Sequence, residues 1–208
     1  MAPPWVSLGI SIIALAVSAV TAWLTFLRKG KLRMTQPTVV YLGPDGPRHD
    51  GRNKVYMRTL LYSTAKRGHV LESLYVTVQR AESKQNFSIW VYGDKDTLKR
   101  GSGLFVPDQG VVFDHHFLMP EDGANFGFTA GTYRVTVFAR LVGMERTLQL
   151  MTVNLVISDA HASALGRPNT GLNFDWGPDL RAYHPHIDAR PARDISLEQV
   201  ITAVAKAR

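Results

Sequence analysis

Residues 70–79, VLESLYVTVQ, carry the pattern that decides the fold. In the second half of this stretch, three aliphatic side chains alternate with three more polar ones: Leu74, Val76 and Val78 against Tyr75, Thr77 and Gln79. Successive side chains of a strand point to opposite faces, so a period of two predicts a strand with one buried face. We therefore expect this stretch to form a half-buried β-strand.

A strand-like sequence pattern extends from residue 36 to residue 157. Short apolar runs are separated by turns rich in Gly, Pro and Asp, at the spacing of an all-β domain. In the last run the apolar positions change parity between Leu150 and Met151, which predicts a β-bulge or a strand buried on both faces. The predicted strands are residues 37–42, 55–64, 70–79, 87–92, 111–119, 133–141 and 147–157.

The connections between these runs are of hairpin length. A parallel α/β sheet is excluded, because its crossovers need about a dozen residues or more. The sequence therefore predicts an all-β, two-layer antiparallel β-sandwich over residues 36–157. Residues 130–137, AGTYRVTV, resemble the late strand of immunoglobulin-like and fibronectin-like domains, in which a Tyr follows a glycine turn. This resemblance implies an immunoglobulin-like sandwich and carries no function with it.

Ahead of the β region lies an apolar run at residues 5–27, WVSLGISIIALAVSAVTAWLTFL, without any Asp, Glu, Lys, Arg or His. A helix of that length covers about 34 Å, against a bilayer core of about 30 Å. It predicts one transmembrane helix after a short tail of residues 1–4. The run is longer than the apolar core of a secretory signal and the tail carries no basic residue, so we expect an uncleaved anchor.

Basic residues follow the apolar run at once, in a predicted linker of residues 28–35. The positive-inside rule keeps them in the cytoplasm, so we expect the N-terminus outside and the domain in the cytosol; a periplasmic or extracellular domain is the alternative. They account for much of a net charge of +7, from 24 Lys plus Arg and 17 Asp plus Glu. We expect anionic lipid headgroups, and no nucleic acid, to be the partner of Arg28, Lys29, Lys31 and Arg33.

Small residues recur three or four positions apart in the predicted helix, on one helical face. Such a face lets a second helix approach closely, which predicts a homo-oligomer formed inside the membrane; the alternative is that these residues have no packing role. The predicted self-association face consists of Ser7, Ser11, Ala14, Ser18 and Ala22.

Beyond residue 157 the pattern is mixed. Residues 158–193 predict a short helix capped by Ser158 and then a strap whose aromatic side chains, Phe174 and Trp176, cover the sheet. Outward parity predicts exposed aromatic side chains at Tyr75, Trp90 and Tyr92. We expect the strap to cover them; the alternative is a recognition patch. Residues 194–208 predict a short amphipathic C-terminal helix, with a capping box and four apolar side chains on one face: Ser196 and Gln199, then Leu197, Val200, Ile201 and Val204.

Catalytic motifs are absent from the sequence. It contains no G-x-S-x-G, Walker loop, H-E-x-x-H or complete G-x-G-x-x-G, and it lacks cysteine, which excludes disulfides, thiolate zinc sites and a cysteine nucleophile. These absences favour a protein that is not an enzyme. No cofactor is expected; a divalent metal is the alternative.

The candidate metal site is the sequence H-P-H-I-D at residues 184–188. In an extended chain His184, His186 and Asp188 project to one side, where two imidazoles and a carboxylate can bind zinc or a similar ion, with Asp175 or Asp179 added. The alternative is a polar segment whose histidines bond to the domain or to water.

Two further segments carry polar side chains: a basic, glycine-rich string at residues 99–103 and the run 111–119. Lys99, Arg100, Gly101, Ser102 and Gly103 form a basic, glycine-rich string that predicts either an anion-binding loop or a plain hairpin turn.

On the run 111–119, parity predicts His115 in the core. It places Asp114 and His116 together on the opposite face, as an acid–base pair or a solvated pair.

Three functions are compatible with these features. The first is a single-pass membrane-anchored β-sandwich that binds a protein or small ligand at the cytosolic face of a membrane. The second is a metal-dependent hydrolase using His184, His186 and Asp188. The third is a ligand-sensing effector whose transmembrane helices cluster and perturb the membrane, which resembles membrane-tethered defence effectors in architecture alone.

Overall fold

The computed structural model describes residues 3–46, 52–94, 97–120 and 126–189. An apolar helix comes first and ends in a single π-helical turn, and the remainder is almost entirely β. The elements are α1 (Pro4–Ala22), the π-helical turn (Trp23–Leu27), β1 (Leu32–Met34), β2 (Val39–Pro44), β3 (Asn53–Ser63), β4 (His69–Arg80), β5 (Ser83–Phe87), β6 (Ile89–Gly93), β7 (Lys99–Arg100), β8 (Leu104–Val106), β9 (Val111–Leu118), β10 (Gly131–Leu141), β11 (Leu148–Ile157), α2 (Asp159–Leu165), β12 (Thr170–Gly177) and β13 (Ala182–Ala189).

The strands form two antiparallel sheets. The first sheet has the order β13-β12-β2-β3-β9-β6-β7, with β1 beside β3. The second has the order β11-β10-β4-β5, with β8 beside β4. This confirms the predicted antiparallel β class behind an N-terminal apolar helix; the immunoglobulin-like assignment is not confirmed. The predicted C-terminal helix, residues 194–208, lies outside the described residues.

One hydrophobic core contains side chains from both sheets. In β4, Leu74, Val76 and Val78 are fully buried, as the alternation predicts. In β3 the inner positions are likewise buried, while Tyr56 and Arg58 lie on the outer face. Each sheet therefore has an inner face that packs in the core and an outer face that is open to solvent.

The predicted strand 87–92 is two strands in different sheets. Phe87 ends β5 in the second sheet and Ile89 begins β6 in the first, with Ser88 between them. The crossing shifts the alternation by one position, so both Phe87 and Trp90 face the core. The predicted exposure of Trp90 is wrong, and Tyr92 also packs against the core. Tyr75 does lie on an outer face, stacked 5.1 Å from the Phe138 ring.

The predicted bulge is present in β11. Val137 of β10 lies opposite Met151, but Phe138 lies opposite Gln149, so Leu150 is the extra residue. Inserting one residue changes which face the following side chains occupy. The parity change read from the sequence therefore marks a real irregularity of the edge strand.

The region after β11 differs from the predicted strap. Helix α2 does begin after Ser158, whose hydroxyl accepts the backbone N–H of His161 at 3.2 Å. Residues 170–177, however, form β12, which pairs with β2 and places Phe174 in the core. A hairpin with β13 then extends the first sheet instead of lying across it.

Candidate functional site

Helix α1 projects from the domain with no buried side chain. Together with the π-helical turn it forms a 24-residue segment, Pro4–Leu27, within which an 18-residue stretch has a mean hydropathy of 2.2. By length and composition it can cross a membrane or serve as a signal sequence. Pro4 suits the first turn of the helix, where a missing N–H costs nothing.

The hydroxyl groups of α1 are bonded within the helix. Ser7 donates to the Pro4 carbonyl, Ser11 to that of Ser7, and Ser18 to that of Ala14, at 2.8 to 2.9 Å. These hydroxyls therefore have no unpaired donor, which would cost free energy in an apolar environment. Self-association through Ser7, Ser11, Ala14, Ser18 and Ala22 stays a prediction.

The linker attaches the helix closely to the domain. The Arg28 N–H closes the π-helical turn on the Trp23 carbonyl at 2.9 Å. The Lys31 N–H already donates to the Thr64 hydroxyl at 2.7 Å, and Gly30 lies so near Ala65 that a Cβ would come within 2.6 Å of its nitrogen. Only a few residues therefore separate the helix from the folded chain. The linker side chains of Arg28, Lys29, Lys31 and Arg33 are all exposed.

The outer face of the first sheet collects titratable side chains from several strands. Strand register places Arg58 beside Asp114 and Tyr56 beside His116. On the other side of β2, Asp175 lies beside His184 and Asn173 beside His186. This polar face of the first sheet spans β13, β12, β3 and β9.

At its centre, Asp114 accepts two hydrogen bonds on one oxygen. The Tyr56 hydroxyl donates to Oδ1 at 3.0 Å, and Arg58 Nη1 donates to the same atom at 2.9 Å. Burial, followed by the negative charge of Asp114, raises the pKa of Tyr56 to about 12. The His116 ring lies 4.9 Å from the Tyr56 ring. Asp114 is therefore held by Arg58 and Tyr56 rather than poised as a partner for His116 alone.

The predicted metal ligands lie on this polar face, at its β13 edge. His186 Nδ1 lies 3.2 Å from Asp175 Oδ2, and both side chains are more than half exposed. Among residues 3–46, 52–94, 97–120 and 126–189, the structure brings no three His, Cys, Asp or Glu side chains into an arrangement that could hold a metal ion. A metal site at His184, His186 and Asp188 stays a prediction.

The predicted anion loop packs in part against Trp90 and Tyr92. Lys99 and Arg100 form β7, and the Gly101 N–H donates to the Trp90 carbonyl at 2.8 Å. A Cβ on Gly101 would clash with the Trp90 ring, so this glycine is needed for close contact with the indole. The Gly103 carbonyl accepts the Tyr92 hydroxyl at 3.0 Å. Anion binding by Lys99–Gly103 stays a prediction.

His115 lies in the core, as its parity predicts, and is fully buried. Its partner is not found by sequence reasoning, since parity in the run 87–92 predicts that Trp90 faces outward. Sequence reasoning also misses the grouping of Tyr56, Arg58 and Asp114, although outward parity in the run 55–64 pairs Tyr56 with Arg58. Which strand lies next to β3 is not visible in the sequence.

Comparisons with known proteins give no family for this chain. No protein-family model matches it, and no curated protein matches it. Among solved structures, it is similar to the CooA pilin subunit from enterotoxigenic Escherichia coli at 11% sequence identity and a TM-score of 0.27. The match covers 57% of this chain and 95% of the pilin chain. A similarity at that score carries no weight for fold or function.

Proposed function

We propose that this chain is a single-pass membrane protein whose β domain is a binding module for a protein or small ligand at the cytosolic face of the membrane. The observation that carries the proposal is the apolar segment Pro4–Leu27, none of which is buried against the domain. A core helix of a soluble protein would bury one of its faces. An apolar helix left this exposed needs a non-aqueous environment.

The cytosolic side is favoured by the basic linker. Arg28, Lys29, Lys31 and Arg33 are exposed directly after the helix, where the positive-inside bias is counted. Anionic lipids of the cytoplasmic leaflet attract such segments.

The binding surface in this proposal is the polar face of the first sheet. Its charged groups come from different strands and are placed by a packed sheet rather than a loop, which favours specific recognition. We also infer an immunoglobulin-like sandwich. Its support is Tyr133, fully buried near the start of β10, whose hydroxyl donates to the Thr129 carbonyl and accepts the Thr129 N–H, both at 2.9 Å.

Membrane integration is tested by extraction of membranes with alkaline carbonate. The full chain is expected to stay in the membrane pellet, and a chain lacking residues 1–27 is expected in the supernatant. A full chain that carbonate releases, or one shortened by cleavage after the apolar segment, would contradict the anchor.

The side of the membrane is tested with a single cysteine, since the chain has none of its own. Glu82→Cys lies in the exposed turn between β4 and β5. An impermeant maleimide is expected to label it only after cell lysis. Labelling in intact cells would overturn the cytosolic orientation while leaving the anchor in place.

The binding face is tested by photo-crosslinking in cells, comparing two exposed arginines on different sheets. Arg58→Ala on the polar face is expected to remove crosslinked partners, whereas Arg134→Ala on the outer face of the second sheet is expected to leave them. Equal effects of the two changes would argue against the polar face.

The two other functions stay predictions with their own tests. A hydrolase requires bound divalent metal in the purified full chain, lost on combined His184→Ala and His186→Ala. A membrane-perturbing effector requires helix clustering, seen as crosslinked oligomers of the full chain. A metal-free protein or a strict monomer would remove the corresponding function.

A further inference from the structure

A groove of about 530 Å³ opens beside the linker, at the end of the domain that carries the helix. The linker contributes Lys29 and Gly30 to its wall. The start of β4 contributes His69 and Val70, and the end of β10 with the turn that follows it contributes residues 141–144. Three separate parts of the domain therefore converge on the point where the chain leaves the apolar helix.

The rim of this groove is apolar and open to solvent. Val142 is 61% exposed, Phe105 56% and Val70 48%. The turn is fixed in place because the Val142 N–H donates to the Val70 carbonyl at 3.0 Å, and Phe105 lies directly over Gly68. Grouped, exposed apolar side chains on a well-ordered surface mark a contact site.

Basic side chains accompany the apolar rim. Lys29 and Arg67 line the groove, and no acidic residue lines it within the described part of the chain. Lys66 is adjacent and pairs with Asp108 at 3.5 Å, and in the turn Glu145 is followed by Arg146. Apolar tips next to cations that have no acidic neighbour in the groove among the described residues match the chemistry of an anionic bilayer surface, which has an acyl boundary beneath negative headgroups.

The short distance between the apolar helix and the groove favours a lipid surface as the occupant of the groove. From Leu27 to Leu32 the chain spans five residue steps, at most about 18 Å when fully extended. The groove adjoins this tether, so it is held at the bilayer surface wherever the helix is inserted. A protein partner would have to enter the gap between domain and membrane.

We propose that this end of the domain docks on the membrane: Phe105, Val142 and Met144 enter the headgroup layer while Lys29 and Arg67 contact anionic headgroups. This inference rests on the proposed membrane anchor. It fixes the orientation of the domain, because β4 runs from His69 at the membrane to Arg80, about 37 Å away at about 3.4 Å per residue. The polar face of the first sheet then stands upright beside the bilayer, open to partners.

Two valines provide a matched test. Val142 is 61% exposed in the docking turn, and Val156 is 62% exposed near the opposite end of the second sheet, where it pairs with Thr132. Val142→Cys and Val156→Cys each receive an environment-sensitive fluorophore in the full chain. Both proteins are inserted into phosphatidylcholine vesicles with and without phosphatidylglycerol, and lipids spin-labelled at the headgroup serve as quenchers.

Docking predicts a blue-shifted, strongly quenched probe at residue 142 and an unquenched probe at residue 156. Adding Arg67→Glu to Val142→Cys replaces a cation by an anion. It is expected to lower the ratio of docked to undocked protein by roughly tenfold or more in the anionic vesicles. Lys84→Glu, an exposed change near the far end of β4, is expected to leave the ratio unchanged.

Carbonate extraction of the same vesicles separates the two proposals. A chain that stays inserted, with equal probe signals at residues 142 and 156, would overturn docking and leave the anchor standing. Quenching at residue 142 that is indifferent to Arg67→Glu would remove the electrostatic part of the contact. A chain that carbonate releases would overturn the anchor and the docking together.

Discussion

Trp90 Nε1 donates a hydrogen bond to His115 Nδ1 at 3.1 Å inside the hydrophobic core. Because an indole nitrogen can only donate, Nδ1 must accept, and the imidazole is neutral with its proton on Nε2. That Nε2 is buried with no hydrogen-bond partner in the described chain. Burial, with a smaller contribution from His116, lowers the pKa of His115 to about 4, against the opposing effect of Asp114.

This pair makes stability depend on pH. The unfolded chain binds a proton at His115 with a pKa near 6.5, whereas the folded chain does so near 4. The contribution of neutral His115 to the free energy of unfolding is therefore complete above pH 6.5. It is lost as the pH falls from 6.5 to 4, by about 3 kcal/mol in total. Urea unfolding of the detergent-solubilised full chain across this range measures the change.

His115→Gln keeps an acceptor for Trp90 and removes the titration, so it is expected to flatten that pH dependence. His116→Gln, on the outer face, is the matched control and should retain it. If the flattening followed His116 instead, the buried histidine would not be the sensitive group.

Gly101 is expected to be indispensable for packing. Gly101→Ala forces a methyl group into the Trp90 ring, which requires the strand or the indole to move, at a cost of about 1–3 kcal/mol in the free energy of unfolding. Gly127→Ala is the control, because no atom of the described residues lies within 4 Å of the Cβ it would add. Thermal unfolding followed by near-ultraviolet dichroism compares the two; similar losses would contradict the assigned contact.

Tyr183 is expected to hold the β12–β13 hairpin to the chain before β2. Its hydroxyl donates to the Pro37 carbonyl and accepts from Gln36 Nε2, both at 2.9 Å, and burial raises its pKa to about 12. Tyr183→Phe leaves Pro37 without that donor and should cost about 1–3 kcal/mol. Faster amide exchange confined to the hairpin is the expected readout. Tyr75→Phe should show no such change.

Helix self-association is expected to depend on small side chains. Ala14→Ile combined with Ser18→Ile blocks close approach of two helices and should abolish crosslinked dimers of the full chain in membranes. Ile12→Leu, which preserves size at a position off that face, should not. Undiminished dimers in the double variant would exclude this face as the interface.

Much of the β architecture was predictable because burial imposes a local pattern. Which face of a strand is buried determines where its apolar side chains stand. Three features follow from this: the alternation in Leu74, Val76 and Val78, the inward position of His115 and the bulge at Leu150. The prediction for the run 87–92 was wrong because the chain leaves one sheet for the other at Ser88. This crossing changes which side chains face the core, and no change in composition marks it.

The candidate site was less predictable. His184, His186 and Asp188 could be grouped from sequence because they are neighbours in one strand. Asp114, by contrast, meets Tyr56 and Arg58 from a strand more than fifty residues earlier, with pairings 58 and 56 positions apart. No local signal encodes such a contact, and the groove beside the linker likewise joins segments far apart in the chain.

The sequence by itself determined an apolar helix long enough to span a bilayer, a basic linker and an antiparallel β domain, because hydrophobic periodicity and charge order are properties of neighbouring residues. Only the tertiary structure decided that Trp90 faces His115, that β12 and β13 extend the first sheet, and that Phe105 and Val142 line one groove beside the linker. Those outcomes depend on which strands pair, and pairing is selected by packing of the whole core.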